Sequence, residues 1–471
     1  MAARKRTKTI IDDDELGPSD DKFGFFQKGR DFESVDTNHQ YTSEEQKKLA
    51  QFESLDYLPS TSAVYARWKK EQPTPSALKW FTMFLVGLCV GLTSFALHQA
   101  IEWSFKGRYT LVNPFIENRS FSEGPGMGIA WGVSVGYSLV FVLFSTLIVV
   151  FIAPAAAGSG IPEVIGFLNG VHIPKTLNFK TLVIKFFSCA TAVGSGMPVG
   201  PEGPMIHMGA MIGAGVSQMR SKTLGCALPI MKRFRNLRDK RDFITAGVAA
   251  GVAAAFGAPV GGLLFCFEEV ASFWNQKLSW QIFFACMMSV FTADFFNSLI
   301  ASVSENRTFI GTFSSDVAII FEEKANVSMN VLALIPAIVC GVIGGVFGSM
   351  FTILNLKIAK FRRNKIVPKK ALRILEPIII MMITSVFAII VPAAMPCTPI
   401  CDATDPGCKY NPGRSGEYKV EENVEFYDCA YRNLSMTESE QEEIEGTMYS
   451  ELATLLYTTG DEGIRHLFSR A

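Results

Sequence analysis

Glu202 is the only carboxylate in the stretch Gly194-Ser-Gly-Met-Pro-Val-Gly-Pro-Glu-Gly-Pro-Met-Ile-His-Met-Gly209, which is otherwise apolar enough to lie inside a membrane. A lone acid at membrane depth is costly and ordinarily faces a partner, a cavity or an ion path. The Gly-Pro units on either side of it break the helix. Unpaired backbone at that depth is tolerated only where it is buried in protein or lines a water-filled cavity. The freed N–H groups, with Pro204 suited to the first turn of a following helix, form a helix N-terminus that attracts anions. Glu202 is itself an anion at that positive end. The chemistry expected is competition between a tethered carboxylate and a free anion for one site.

Two further constellations bear on that site. Gly158-Ser-Gly-Ile-Pro162 follows one apolar segment and opens another. Its glycines expose backbone N–H groups, Ser159 adds a hydroxyl donor and Pro162 fits a first helical turn. Alone it reads equally well as a flexible break. Paired with Gly200-Pro-Glu-Gly-Pro204 it gains meaning, because two broken helices can aim positive ends at one ion near the midplane. Each end contributes only about 0.3–2 kcal/mol, and weak multiple donors suit an ion that must leave as well as enter. The second constellation is Phe265-Cys-Phe-Glu-Glu-Val270, where Glu268 and Glu269 end an apolar run. Two acids there either terminate a helix against basic loops or relay protons towards Glu202. His207, a turn or so beyond Glu202, is read as helix packing.

The elements that must position these residues follow from composition. The chain has 471 residues, 49% of them hydrophobic, and zero formal net charge. That is membrane composition with polar appendages, and the lack of basic excess excludes nucleic acid as a partner. The start, Met-Ala-Ala-Arg-Lys-Arg, lacks the apolar core of a signal peptide, and residues 1–75 read as a charged, turn-rich cytosolic arm. Apolar spans are expected at Trp80–His98, Gly128–Ala153, Ile244–Trp274 (broken at Gly257-Ala-Pro259), Trp280–Ile300, Val331–Leu356 and Ile378–Met395. From Gly158 to Val216 the segments are short and interrupted. Basic clusters at Met219–Arg241 and Lys357–Lys365 mark the cytosolic side. The sequons at Asn118, Asn306, Asn326 and Asn433 each fall in a loop that these clusters place in the lumen, which makes them glycosylation candidates.

Six of the ten cysteines lie in apolar segments or beside basic loops, where packing is the expectation. Cys397, Cys401, Cys408 and Cys429 share one polar lumenal loop, where three pairings are open. Zinc is the rival reading, but the loop lacks histidine and its spacings are irregular, so disulfides are expected and no metal site is assigned. No cofactor and no enzymatic chemistry are implied. The chain also echoes itself. Gly87-X-X-X-Gly91 recurs as Gly341-X-X-X-Gly345, and Ile152-Ala-Pro-Ala-Ala156 as Ile390-Val-Pro-Ala-Ala394. Because the first helix leaves the cytosol and its counterpart enters it, the repeats are read as inverted. The alternative is two unrelated glycine-rich helices. The organisation expected is an arm at 1–75, a first transmembrane repeat at 76–300, a lumenal loop at 301–327, the start of a second repeat at 328–396, the cysteine loop at 397–450 and a partial helix at 451–471.

Three stretches together carry a family resemblance: Gly-Ser-Gly-Ile-Pro-Glu (158–163), Gly-Pro-Glu-Gly-Pro-Met-Ile-His (200–207), and the Ala/Gly run 246–259 followed by Glu268-Glu269. They resemble the CLC chloride channels and chloride/proton antiporters. Phe52-Glu-Ser-Leu-Asp-Tyr57 and Leu168-Asn-Gly-Val171 are similar to the late endosomal and lysosomal branch of that family, that of chloride channel proteins 6 and 7. The resemblance implies an all-α polytopic membrane protein with an inverted repeat and broken, re-entrant helices, whose second repeat is incomplete in this chain. It implies a chloride site lined by Gly158, Ser159, Gly160, Ile161 and Pro162 and by Gly200, Pro201, Glu202, Gly203 and Pro204. Glu202 would be the gate and proton acceptor, and Glu269 the internal proton glutamate of exchangers. Chloride, protons and membrane lipid would be the partners, with a homodimer and an accessory beta subunit in the complete protein. Late endosome or lysosome is the implied location, with the plasma membrane as alternative. Position 201 is usually basic in the family and is Pro here, and the family's third filter motif is not found before Ala471. The chain as given is therefore expected not to transport alone. A passive chloride channel and a nontransporting subunit remain alternatives to exchange.

Overall fold

Glycine and proline break the helices at 158–162, 200–204 and 257–259, while Pro114, Pro377 and Pro392 lie inside helices. The computed structural model describes residues 76–117, 126–171, 173–221, 226–227, 231, 234, 237–304, 331–395, 398–399 and 448–457. The order begins with α1 (Ser76–Glu117) and α2 (Gly126–Leu147), the latter running on through a π-helical turn at Ile148–Ile152 to a short 3-10 turn at Pro154–Ala156. Three short pieces follow: α3 (Ile161–Leu168), α4 (Phe179–Gly194) and α5 (Glu202–Gln218). After a two-residue antiparallel pair, β1 (Arg220–Ser221) with β2 (Cys226–Ala227), come α6 (Leu237–Phe256), α7 (Pro259–Phe265), a π-helical turn at Cys266–Val270 and α8 (Gln276–Ser304). The last described elements are α9 (Leu334–Phe361), α10 (Lys370–Ala394), the pair β3 (Thr398–Pro399) with β4 (Met448–Tyr449), and α11 (Glu451–Tyr457).

Among the described residues, five helical stretches are long and apolar enough to cross a membrane: Ala77–Val112, Gly128–Ile152, Gln276–Ile300, Leu334–Ile366 and Lys370–Pro392. By contrast α5, at 17 residues, is about 25 Å long at 1.5 Å per residue and falls short of a hydrocarbon core of about 30 Å. It is nonetheless deeply enclosed, buried without a break from Met205 to Ala214, as is α6 from Arg241 to Ala253. Glycines make that possible. A Cβ on Gly251 would lie 2.7 Å from the Met205 carbonyl oxygen, and one on either Gly209 or Gly247 would overlap the other's carbonyl, so α5 and α6 pack backbone to backbone. The main core wraps this pair, with Phe234, Phe243, Ile244, Val248, Leu278 and Ile282 fully buried.

Helix α1 differs from the expected span at Trp80–His98. It continues to Glu117 and is 42 residues long. The apolar window ends near His98, but the chain beyond it keeps a helix-supporting pair, Glu102 and Lys106 at 2.6 Å, and a buried face that carries Ser104 and Arg108 onto other elements. At the opposite end Lys79 pairs with Asp242 at 3.0 Å, and Asp242 also accepts from Arg241 at 3.1 Å. The two Gly-X-X-X-Gly helices have different surroundings. On α1, a Cβ at Gly87 would sit 2.5 Å from the Ala285 carbonyl oxygen of α8, whereas on α9 nothing described lies within 4 Å of Gly341 or Gly345. No residue of α9 is buried. The sequons at Asn118, Asn306, Asn326 and Asn433 and the cysteines Cys397, Cys401, Cys408 and Cys429 lie outside the described residues.

Candidate anion site

The two glycine-rich loops singled out by sequence meet. Gly203, second residue of α5, packs on Ser159, whose Cβ is 2.8 Å from the point a Gly203 Cβ would occupy. One residue on, Gly160 has φ +82 and caps α3 in the left-handed conformation, which suits glycine because an L side chain there strains the backbone. The space a Cβ would need at Gly160 is filled by the His207 ring. His207 is fully buried, and its Nε2 lies 3.1 Å from the Thr176 carbonyl. A carbonyl only accepts, so Nε2 carries a proton, while Nδ1 faces Gly160 with no hydrogen-bond partner among the described residues. His207 is thus a wedge between the Gly160 loop and the segment leading into α4, in keeping with a packing role.

The donor groups of this knot belong to the starts of α3 and α5. Ser159 Oγ accepts from the Ile161 N–H at 3.4 Å. Glu202 opens α5, and its carboxylate folds back over Gly200: a Cβ there would overlap Oε2. The half-buried acid therefore stands at the positive end of α5 beside the Ser159 loop. Gly158, Gly160, Ile161, Gly200 and Gly203 supply backbone on the two sides, while Pro162, Pro201 and Pro204 remove N–H groups and stiffen the turns. Pro201 precedes the helix, and its carbonyl accepts the Met205 N–H at 2.9 Å.

A cation that sequence reasoning passed over lies beneath the first loop. Lys185, 1% exposed, donates to the Gly158 carbonyl at 3.0 Å and the Ala156 carbonyl at 3.4 Å. It absorbs two carbonyls freed where the helix breaks and brings a positive charge under Ser159. Glu163, in the first turn of α3, lies within electrostatic reach of that ammonium. The signal was present in the sequence: one lysine in the apolar run Thr181–Ala190 is what a membrane-depth site leaves behind. Glu268 and Glu269 lie apart from the knot, both exposed, on the π-helical turn after α7. That turn is held to α6 by Cys266 Sγ, 3.4 Å from the Thr245 carbonyl, and Gly262 of α7 packs on Ala253.

Two apposed helix N-termini, a serine hydroxyl, a buried cation and a tethered carboxylate come together where the two loops meet, groups of the kind that attract an anion. A sequence profile of the voltage gated chloride channel family matches residues 140–469. The chain belongs to that family. Chloride channel protein C of Dictyostelium discoideum is 32% identical over 441 residues, covering 92% of this chain and 53% of that protein. The H(+)/Cl(-) exchange transporter 7 of Homo sapiens is 36% identical over 360 residues, covering 74% of this chain and 43% of that protein. The chain thus spans about half the length of these relatives. The fold is similar to that of a slow cyanobacterial Cl-/H+ antiporter solved by X-ray crystallography, with a TM-score of 0.51 at 24% identity over 67% of this chain and 65% of that one. Ser159, Lys185, Glu202 and Glu269 fall inside the matched family stretch, and α1 lies before it.

Proposed function

We propose that the complete protein exchanges chloride for protons across an organellar membrane, with late endosome or lysosome as the location. The observation that carries this is the contact of Ser159 with Gly203, which sets two helix N-termini side by side with Glu202 at the start of one of them. In this reading the amides of 158–161, 200, 202 and 203 and the Ser159 hydroxyl hold chloride, with the buried Lys185 ammonium adding positive potential. Glu202 occupies the same positive field when the anion leaves. On taking a proton it loses its charge and its claim on the site, so proton uptake and chloride entry become linked. Glu269, exposed on the turn after α7, delivers protons from the cytosolic side. The similarity to an H(+)/Cl(-) exchange transporter supports exchange over passive conduction.

Chloride and proton fluxes recorded together, with the complete protein in liposomes, test the reading. Glu202→Ala is expected to leave chloride flux without proton movement, and Glu269→Ala to abolish proton movement while sparing chloride. Proton movement that persists in step with chloride in both variants would overturn the carboxylate relay.

A further inference from the structure

Between Lys357 and Arg373 the chain carries eight lysines and arginines and no acid, and Glu376 is the only acid from there to Met395. These cations lie about the turn that joins two stretches long and apolar enough to cross a membrane, Leu334–Ile366 and Lys370–Pro392. A basic turn so placed stands at headgroup depth on the cytosolic side. It is folded tightly. The chain leaves α9 through a π-helical turn at Arg362–Ile366, where the Val367 N–H donates to the Arg362 carbonyl at 2.9 Å, and the Lys369 N–H then donates to the Ile366 carbonyl at 3.0 Å. Arg362 reaches across to Glu376 of α10 at 2.6 Å, and Arg373 donates to the Val367 carbonyl. Glu376 is thereby taken up by Arg362.

Most of the charge is left over. Lys357, Lys360, Lys365 and Lys369 are exposed and make no hydrogen bond or ion pair among the described residues. The basic end of α1 differs, since Lys79 and Arg241 share the Asp242 carboxylate there. A positive-inside bias asks only that a cytosolic loop contain cations; it does not ask for a pinned turn that keeps unpaired ones together. Apolar surface adjoins them. The Lys370 ammonium stands 5.8 Å from the centroid of the Phe151 ring, on the π-helical turn that ends α2, and Phe151 is 61% exposed. Along α10, Leu375 and Ile379 are also exposed, four residues apart and so on one helix face. Unpaired cations at headgroup depth beside apolar side chains that lead into the hydrocarbon match the two halves of an anionic lipid. A soluble anion would use only the first half.

We propose that the turn between α9 and α10 is a binding site for an anionic phospholipid of the cytosolic leaflet. Lys365, Lys369 and Lys370 donate to the headgroup, and Phe151, Leu375 and Ile379 give its glycerol and acyl portions an apolar surface. The site is independent of the anion path and stands whether or not chloride binds beside Ser159.

The test is native mass spectrometry of the purified chain, with retained lipid followed as phosphatidylserine or phosphatidylcholine is titrated into the micelles. Phosphatidylserine is expected to half-saturate at about tenfold lower concentration than phosphatidylcholine. Lys365→Gln, Lys369→Gln and Lys370→Gln together are expected to raise the phosphatidylserine value at least about tenfold and to leave phosphatidylcholine unchanged, because each surface lysine contributes about fivefold to the hold on an anionic lipid. The same three positions as arginine should stay within about threefold of the unmodified chain. Lys232→Gln, Arg233→Gln and Arg235→Gln remove equal charge from the other basic cluster and should change retention by less than about twofold. Equal losses from the two triple substitutions would mean a diffuse attraction to the whole basic face and would overturn the site, as would equal retention of the two lipids by the unmodified chain. Glycerophosphoserine, the headgroup without its acyl chains, is expected not to displace the lipid; displacement at matching concentration would make the ligand a soluble anion and overturn the lipid assignment. Should the triple substitution not fold, Lys369→Gln alone is expected to weaken phosphatidylserine about fivefold, and no change in it overturns the proposal.

Discussion

Replacing Gly160 by alanine perturbs the junction on which the site depends. Two costs follow from the structure. At φ +82 the residue is in the left-handed region, where a Cβ costs about 1–2 kcal/mol. The new methyl would also overlap the His207 ring and approach His207 Cβ at 2.8 Å, an overpacking that costs about 1–3 kcal/mol in a tight core. The sum is about 2–5 kcal/mol, a large part of the stability of an ordinary domain. Reversible unfolding in mixed micelles, titrated with sodium dodecyl sulfate and followed by tryptophan fluorescence, measures it. A double-mutant cycle separates the terms. In a His207→Gly background the overlap with both the ring and the Cβ disappears and the backbone strain remains, so the cost of Gly160→Ala should fall to about 1–2 kcal/mol. If Gly160→Ala costs less than about 0.5 kcal/mol, or costs the same with and without the His207 ring, the Gly160–His207 wedge does not exist.

Other perturbations test the neighbouring supports. Lys185→Met should cost about 2–4 kcal/mol in the same assay, because it strands the Gly158 and Ala156 carbonyls, each losing a charged donor; a neutral result would show that water replaces the ammonium. Gly87→Val should disrupt the seam of α1 and α8 by about 2 kcal/mol or more, whereas Gly341→Val, with nothing described within 4 Å, should stay within about 0.5 kcal/mol. Equal effects of the two would contradict the difference in packing. At the basic end, Asp242→Ala leaves Arg241 and Lys79 without their shared carboxylate and should cost about 3 kcal/mol. Lys79→Ala, at a residue whose side chain is 20% exposed, should cost about 1 kcal/mol.

The two loops could be found in the sequence because their composition contradicts their surroundings: glycine and proline break apolar runs at 158–162 and 200–204, and a helix broken at membrane depth calls for a reason. The break at Gly257-Ala-Pro259 was legible for the same cause, and α6 ends at Phe256 with α7 starting at Pro259. What could not be read is who fills the gaps. The need for glycine at 160, 196 and 203 is set by His207, Arg108 and Ser159, each distant in sequence. The full length of α1 was hidden because a hydropathy window closes where the polar residues begin, although Ser104 and Arg108 are captured by the 194–196 turn. Lys185 was visible as an isolated charge in an apolar run, but its role depends on carbonyls 27 and 29 residues away. The matching Gly-X-X-X-Gly spacing of α1 and α9 was equally plain, yet only α1 has a described helix against it. A repeat in sequence specifies a surface and leaves its partner unspecified.

Whether the amides of both loops bind one anion is the central question, and backbone hydrogen exchange of the purified chain measures it directly. Chloride is titrated against gluconate at fixed ionic strength while peptides covering 158–161 and 200–203 are followed by mass spectrometry. The account predicts that both segments slow together, with one half-saturation point, and that Glu202→Gln moves that point to lower chloride because the tethered competitor has lost its charge. Exchange in the two segments that ignores chloride, or that responds in only one of them, would contradict it.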